Sequence, residues 1–187
     1  MIISRNSSQA DSYYQLARDG KAFEALTTIT GLVAFGTAIG MGGPLLWNNT
    51  GQAAGGTGRV LAVLLGLSVG WTTAPAAAGV IGITSGTGQT AVPTSVTGIT
   101  GAANLRPDLE GEPACNVYNA GTVVNAGEIL HVTHQVGTGT VSVAPTFVPL
   151  DGLIQVPPGC WASVAGAAAI ATMVAQISLV WAEIPLP

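Results

Sequence analysis

Charge is what this sequence has least of. Five Lys+Arg and nine Asp+Glu, 14 of 187 residues or 7%, compare with roughly a quarter in an ordinary soluble domain. A surface that poor in charge tends to associate, so an isolated monomer is not the expected state. The net charge of −4 leaves no cationic excess to neutralise phosphates, which argues against a nucleic-acid binder driven by counterion release. Aromatics are also sparse, at 5%. That counts against a carbohydrate-binding or adhesive β-module built on exposed ring platforms, the first alternative of another class. Cys115 and Cys160 are the only cysteines and lie far apart without a CxxC spacing, so a zinc site has no ligand set; a disulfide and two buried thiols both fit, and synthesis in a cytoplasm favours the thiols.

Long uninterrupted apolar runs are missing too, although the mean hydropathy is +0.52. Residues 25–58, 60–105 and 152–182 carry no charge, but the first holds Pro44 and many glycines and the second is interrupted by Thr72, Thr73 and Pro75. Neither supplies the ~20 apolar residues of a membrane-spanning helix. Ser163–Ala182 comes nearest and contains Thr172, Gln176 and Ser178, with no Lys or Arg after Arg106 to set an orientation. A small membrane protein is thus the weaker alternative. The first twenty residues lack an apolar signal core, so the expectation is synthesis in a host cytoplasm without export.

Glycine (26) and proline (11) are plentiful, which opposes a helical bundle and favours short strands between turns. Periodicity agrees. Leu61, Val63, Leu65, Leu67, Val69 and Trp71 alternate with mostly small residues, Leu64 being the exception, and Met173, Ala175, Ile177, Leu179 and Trp181 repeat the pattern. Period 2 is the mark of a strand with two unlike faces. Shorter strands are predicted at Val80–Thr84, Cys115–Val124, Ile129–Val136, Thr140–Ala144, Leu153–Val156 and Trp161–Ala165. The fold class is therefore all-β, an antiparallel sandwich spanning residues 31–187. Its second strand faces carry Ala, Gly, Ser and Val instead of Lys and Glu, which predicts that they are buried against another chain.

Residues 1–30 read as an extended N-terminal arm, because six of the 14 charges fall within the first 24 positions. A short helix from Ser12 to Asp19, ended by Gly20, is expected inside it. The arm is the candidate partner-binding element: Tyr13, Tyr14, Leu16 and Phe23 supply apolar contact, and Arg5, Arg18 and Lys21 would meet acidic groups on a partner. A second polar segment, Asn104–Pro113, is expected to be an exposed loop.

Catalytic constellations are scarce. His131 and His134 stand at i, i+3, which in a strand places them on opposite faces and denies them a shared metal. The carboxylates form no acid/base spacing, and Gly51–Gly58 lacks the Lys-Ser/Thr of a phosphate loop, so it is read as a turn. Asn48-Asn49-Thr50 matches a glycosylation sequon that needs a secretory route. No enzyme, cofactor or metal is expected.

Leu46-Trp47-Asn48 before a Gly-rich turn, the long strand Val60–Trp71, Val156-Pro157-Pro158-Gly159-Cys160 running into a strand, and the terminal Ile177–Pro185 together resemble small virion proteins of tailed bacteriophages, the head decoration or cement type. The resemblance covers about residues 44–187. It implies a jelly-roll form of the sandwich and a homotrimer on the outside of a capsid shell, in contact with the major capsid protein and without catalysis, nucleic acid or membrane. Head fibre, tail or minor capsid roles belong to the same reading.

Overall fold

A computed structural model describes residues 13–32, 40–41, 44–52, 58–73, 78–98, 102–109, 111–125, 127–136, 146–166 and 170–187. Residues 13–18 form helix α1, closed by Gly20 at φ +68°. The amide of Lys21 donates to the Leu16 carbonyl at 2.9 Å and that of Gly20 to Ala17 at 3.0 Å, the paired bonds of a Schellman end in which glycine takes the left-handed position. Thirteen strands follow among the described residues: β1 (Ala22–Leu32), β2 (Gly40–Met41), β3 (Leu45–Trp47), β4 (Val60–Thr73), β5 (Gly79–Gly86), β6 (Thr94–Gly98), β7 (Ala103–Asn104), β8 (Asn116–Thr122), β9 (Glu128–Val136), β10 (Thr146–Pro149), β11 (Gln155–Val156), β12 (Trp161–Gly166) and β13 (Ile170–Pro185). The predicted strand Thr140–Ala144 lies outside the described residues.

Two antiparallel sheets pack face to face, in the orders β10-β4-β13-β1-β7 and β2-β8-β3-β12-β5-β9. The pairs β1·β13, β3·β12, β4·β10 and β5·β9 are nested in sequence, as if one long hairpin had been rolled so that successive strands alternate between sheets. That is jelly-roll topology. β6, β7 and β8 are insertions between β5 and β9.

Between the sheets lie Leu64, Leu67, Val69, Ile81, Ile83, Val164, Ile177, Leu179 and Trp181, all at or below 1% exposure. Trp181 stacks on Phe23 with ring centroids 5.8 Å apart. A smaller cluster on the outer face of the second sheet joins Leu45, Trp47, Val123 and Trp161. The segment around Gln89 covers it, holding the Trp47 indole N–H at 3.1 Å by its carbonyl and the Val124 amide at 2.9 Å by its side chain.

Two expectations need correction. The large residues of β4 do not share one face: opposite β13, Leu64 meets Trp181 and Gly66 meets Val180, leaving Leu65 as an extra residue. This bulge reverses the parity, so Ala62, Leu64, Leu67 and Val69 point inward while Leu65 joins Ala22 and Ala182 in an outer cluster, with Val63 packed against it. Leu64, the exception in the alternation, marks the switch. Second, the small-residue outer face of the first sheet is covered in part by the chain itself. α1 lies on that face, with Tyr13, Leu16 and Ala17 packed against Ala22, Leu65 and Ala182.

Candidate partner-binding surface

The seven arm residues separate when placed on the fold. Arg5 lies outside the described residues. Phe23 is 5% exposed in the domain's own core, so it is not available to a partner; the reason is that Ala22–Leu32 pairs with β13 at ten positions and Phe23, Ala25 and Thr27 alternate onto its buried face. Leu16 is half-buried under α1, and Tyr13 donates its hydroxyl to Asp151 at 2.9 Å, so both fasten the helix to the sandwich. Lys21 is an exposed residue at the start of β1 whose carbonyl accepts the Glu183 amide at 2.9 Å. Tyr14, 68% exposed, and Arg18 remain outward-facing.

Those two residues meet the polar segment that follows β7. Tyr14, Ala17, Arg18, Leu105 and Arg106 line an open groove of about 520 Å³. Arg106 is its hinge pin: Nε and Nη2 donate to Asp108 at 2.8 and 2.9 Å, and Nη1 donates to the Arg18 carbonyl at the end of α1. The Asp108 hydrogen bond raises the Arg106 pKa, and Arg106 in turn holds the Asp108 carboxyl below its ordinary range. Both charges are exposed, so the pair orders the loop more than it stabilises the fold. Leu105 and Arg106 were not singled out from sequence; they sit in a segment whose polarity gives no hint that it closes onto a helix some 90 positions earlier.

Elsewhere the reactive residue types serve the scaffold. Glu183 is 6% exposed and accepts from the amides of Ala114 (2.7 Å) and Cys115 (2.9 Å) and from the Trp181 indole (3.1 Å). Asn48, the sequon residue, is fully buried and gives its amide to the carbonyls of Val60 at 2.8 Å and Val156 at 2.7 Å. Asn48 thus ties β3 to the start of β4 and to β11. Cys115 and Cys160 are not joined; burial, reinforced by Glu183, pushes the Cys115 thiol far up, and burial raises Cys160 as well. Among the described residues no three His, Cys, Asp or Glu side chains gather as a metal site, and no helix is long and apolar enough to cross a membrane. All four tryptophans are buried. No family model matches the sequence, and no curated protein matches it at a significant level.

Proposed function

We propose that this chain is a non-enzymatic virion structural protein, a decoration or cement protein that sits as a homo-oligomer on the outside of a bacteriophage head shell and binds the major capsid protein. The observation that carries the reading is a jelly roll whose charge-poor surface leaves nine large apolar side chains exposed among the described residues, with Tyr14, Leu26, Phe147 and Leu153 at 53% or more. Such a surface favours association over solvation, and jelly rolls recur in viral capsid proteins, an argument by analogy of fold. The groove between α1 and β7 supplies the contact: Tyr14 and Leu105 offer apolar area, and Arg18 offers a cation at the rim.

The test is cosedimentation of the purified protein with undecorated shells. Wild type should pellet with them, Tyr14→Ala combined with Arg18→Glu should bind at least roughly tenfold more weakly, and added salt should weaken binding through the exposed cation. Wild type that stays in the supernatant at every shell concentration overturns the reading.

A further inference from the structure

Among the described residues, one strand edge of the jelly roll is left unguarded. β1 pairs with β13 at ten positions along one side, yet on the other side β7 meets only Phe23 and Glu24. The Lys21 carbonyl accepts from Glu183 of β13 and the Ala22 carbonyl accepts from Leu105 on the opposite side. Strand alternation then aims the N–H and C=O groups of Leu26, Thr28 and Thr30 outward. No ladder partner for them occurs among the described residues. Natural proteins defend such an edge with charge, proline or a bulge. β9 is bulged twice against β5, and β10 has four residues and ends on Pro149. From Ala25 to Thr30 β1 has no charge, no proline and an unbroken register.

We infer that this edge, Leu26 to Thr30, pairs antiparallel with the same segment of a second copy, so that two sandwiches share one continuous sheet across a two-fold axis. A second copy is the occupant the chemistry selects, because the segment is self-complementary. About a two-fold at Thr28, Leu26 of each copy lies opposite Thr30 of the other, every outward donor meets an acceptor, and no charges meet. Glu24 falls beyond both ends of the paired region. An open groove of about 340 Å³ lies along β7 and the segment after it, with the half-exposed Leu26 at its margin. The inference rests on the homo-oligomer part of the functional reading and makes the assembly even-numbered. Any three-fold arrangement would then be built from dimers.

Thr28→Pro is the discriminating variant. It removes one outward N–H, and proline is tolerated on an edge whose N–H faces solvent, so the monomer loses no bond to β13. By sedimentation equilibrium, wild type should be a dimer or a multiple of two, and Thr28→Pro should weaken the association at least roughly tenfold with an unchanged circular dichroism spectrum. Independently of any variant's folding, the wild-type amides of Leu26, Thr28 and Thr30 should resist hydrogen exchange. A monomer, a trimer, unchanged association of folded Thr28→Pro, or fast exchange at those three amides overturns the inference. Shells are left out of the experiment, so failure to pair and failure to bind a capsid are read separately.

Discussion

At the scale of single residues, the groups that would ordinarily signal chemistry hold backbone together. Glu183 satisfies three N–H donors with two oxygens. In Glu183→Gln one acceptor becomes an NH₂ facing an N–H, and the remaining bonds lose their charge assistance. Unfolding in urea should show a loss of about 1–3 kcal/mol. Asn48→Ala should cost more than Glu183→Gln in the same assay, since it leaves the Val60 and Val156 carbonyls without this buried donor. Glycines divide by what surrounds them. A Cβ on Gly66 would strike only the ring of Phe147, which is 54% exposed and can swing aside. On Gly127 it would meet Trp161 at 2.4 Å and the Ser85 carbonyl oxygen at 2.7 Å, neither free to move. Gly127→Ala is therefore expected to cost about 1–3 kcal/mol by thermal or urea melts, and Gly66→Ala far less.

At the scale of elements, the N-terminal region is two objects. α1 is a cover fastened by the Tyr13–Asp151 bond, the Arg106–Arg18 bond and a small apolar cluster, whereas β1 is part of the frame. A six-residue helix has little stability apart from the surface it lies on. Removing residues 1–20 should leave a folded sandwich that exposes Leu65, Ala22 and Ala182 and is less stable and less soluble. Extending the deletion to residue 24 removes Ala22 and Phe23, which are at most 5% exposed, and unpairs β13 from part of β1. That version should lose its β-sheet circular dichroism or fail to accumulate as soluble protein. A truncation meant to probe partner binding must therefore stop before Lys21.

For the whole molecule, the buried thiol of Cys115 sets a pH dependence. In the unfolded chain Cys115 ionises near its ordinary value of 9.0, while in the folded protein burial keeps it protonated well above that. Above pH 9 the unfolded state binds fewer protons than the folded one, so stability declines as pH rises. Below that value the contribution is fully present. The decline approaches about 1.4 kcal/mol per pH unit for one such group. Urea midpoints between pH 8 and 10.5 should fall less steeply in Cys115→Ala than in wild type, whatever the substitution costs at neutral pH. In the native state Cys115 should also resist thiol reagents until the protein unfolds.

Strand content was legible in the sequence because period-2 alternation and turn residues are local signals. β5, β8, β9 and β12 lie within two or three residues of their predicted ends, and α1 stops at Gly20 because glycine alone relieves the left-handed turn. Short strands such as β3, β7 and β10 carry too few residues to show a period. Parity in the middle of β4 was decided by the bulge at Leu65, opposite Trp181 and Val180. Tertiary structure also placed Phe23 in the core, since a neighbouring strand more than 150 residues away selects which face of β1 is inside. The surface formed by Tyr14, Arg18, Leu105 and Arg106 and the outward-facing backbone of β1 depend on the same long-range pairing. Local sequence determines which segments extend and which turn; only the rolling of two sheets determines which side chains and backbone edges are left facing out.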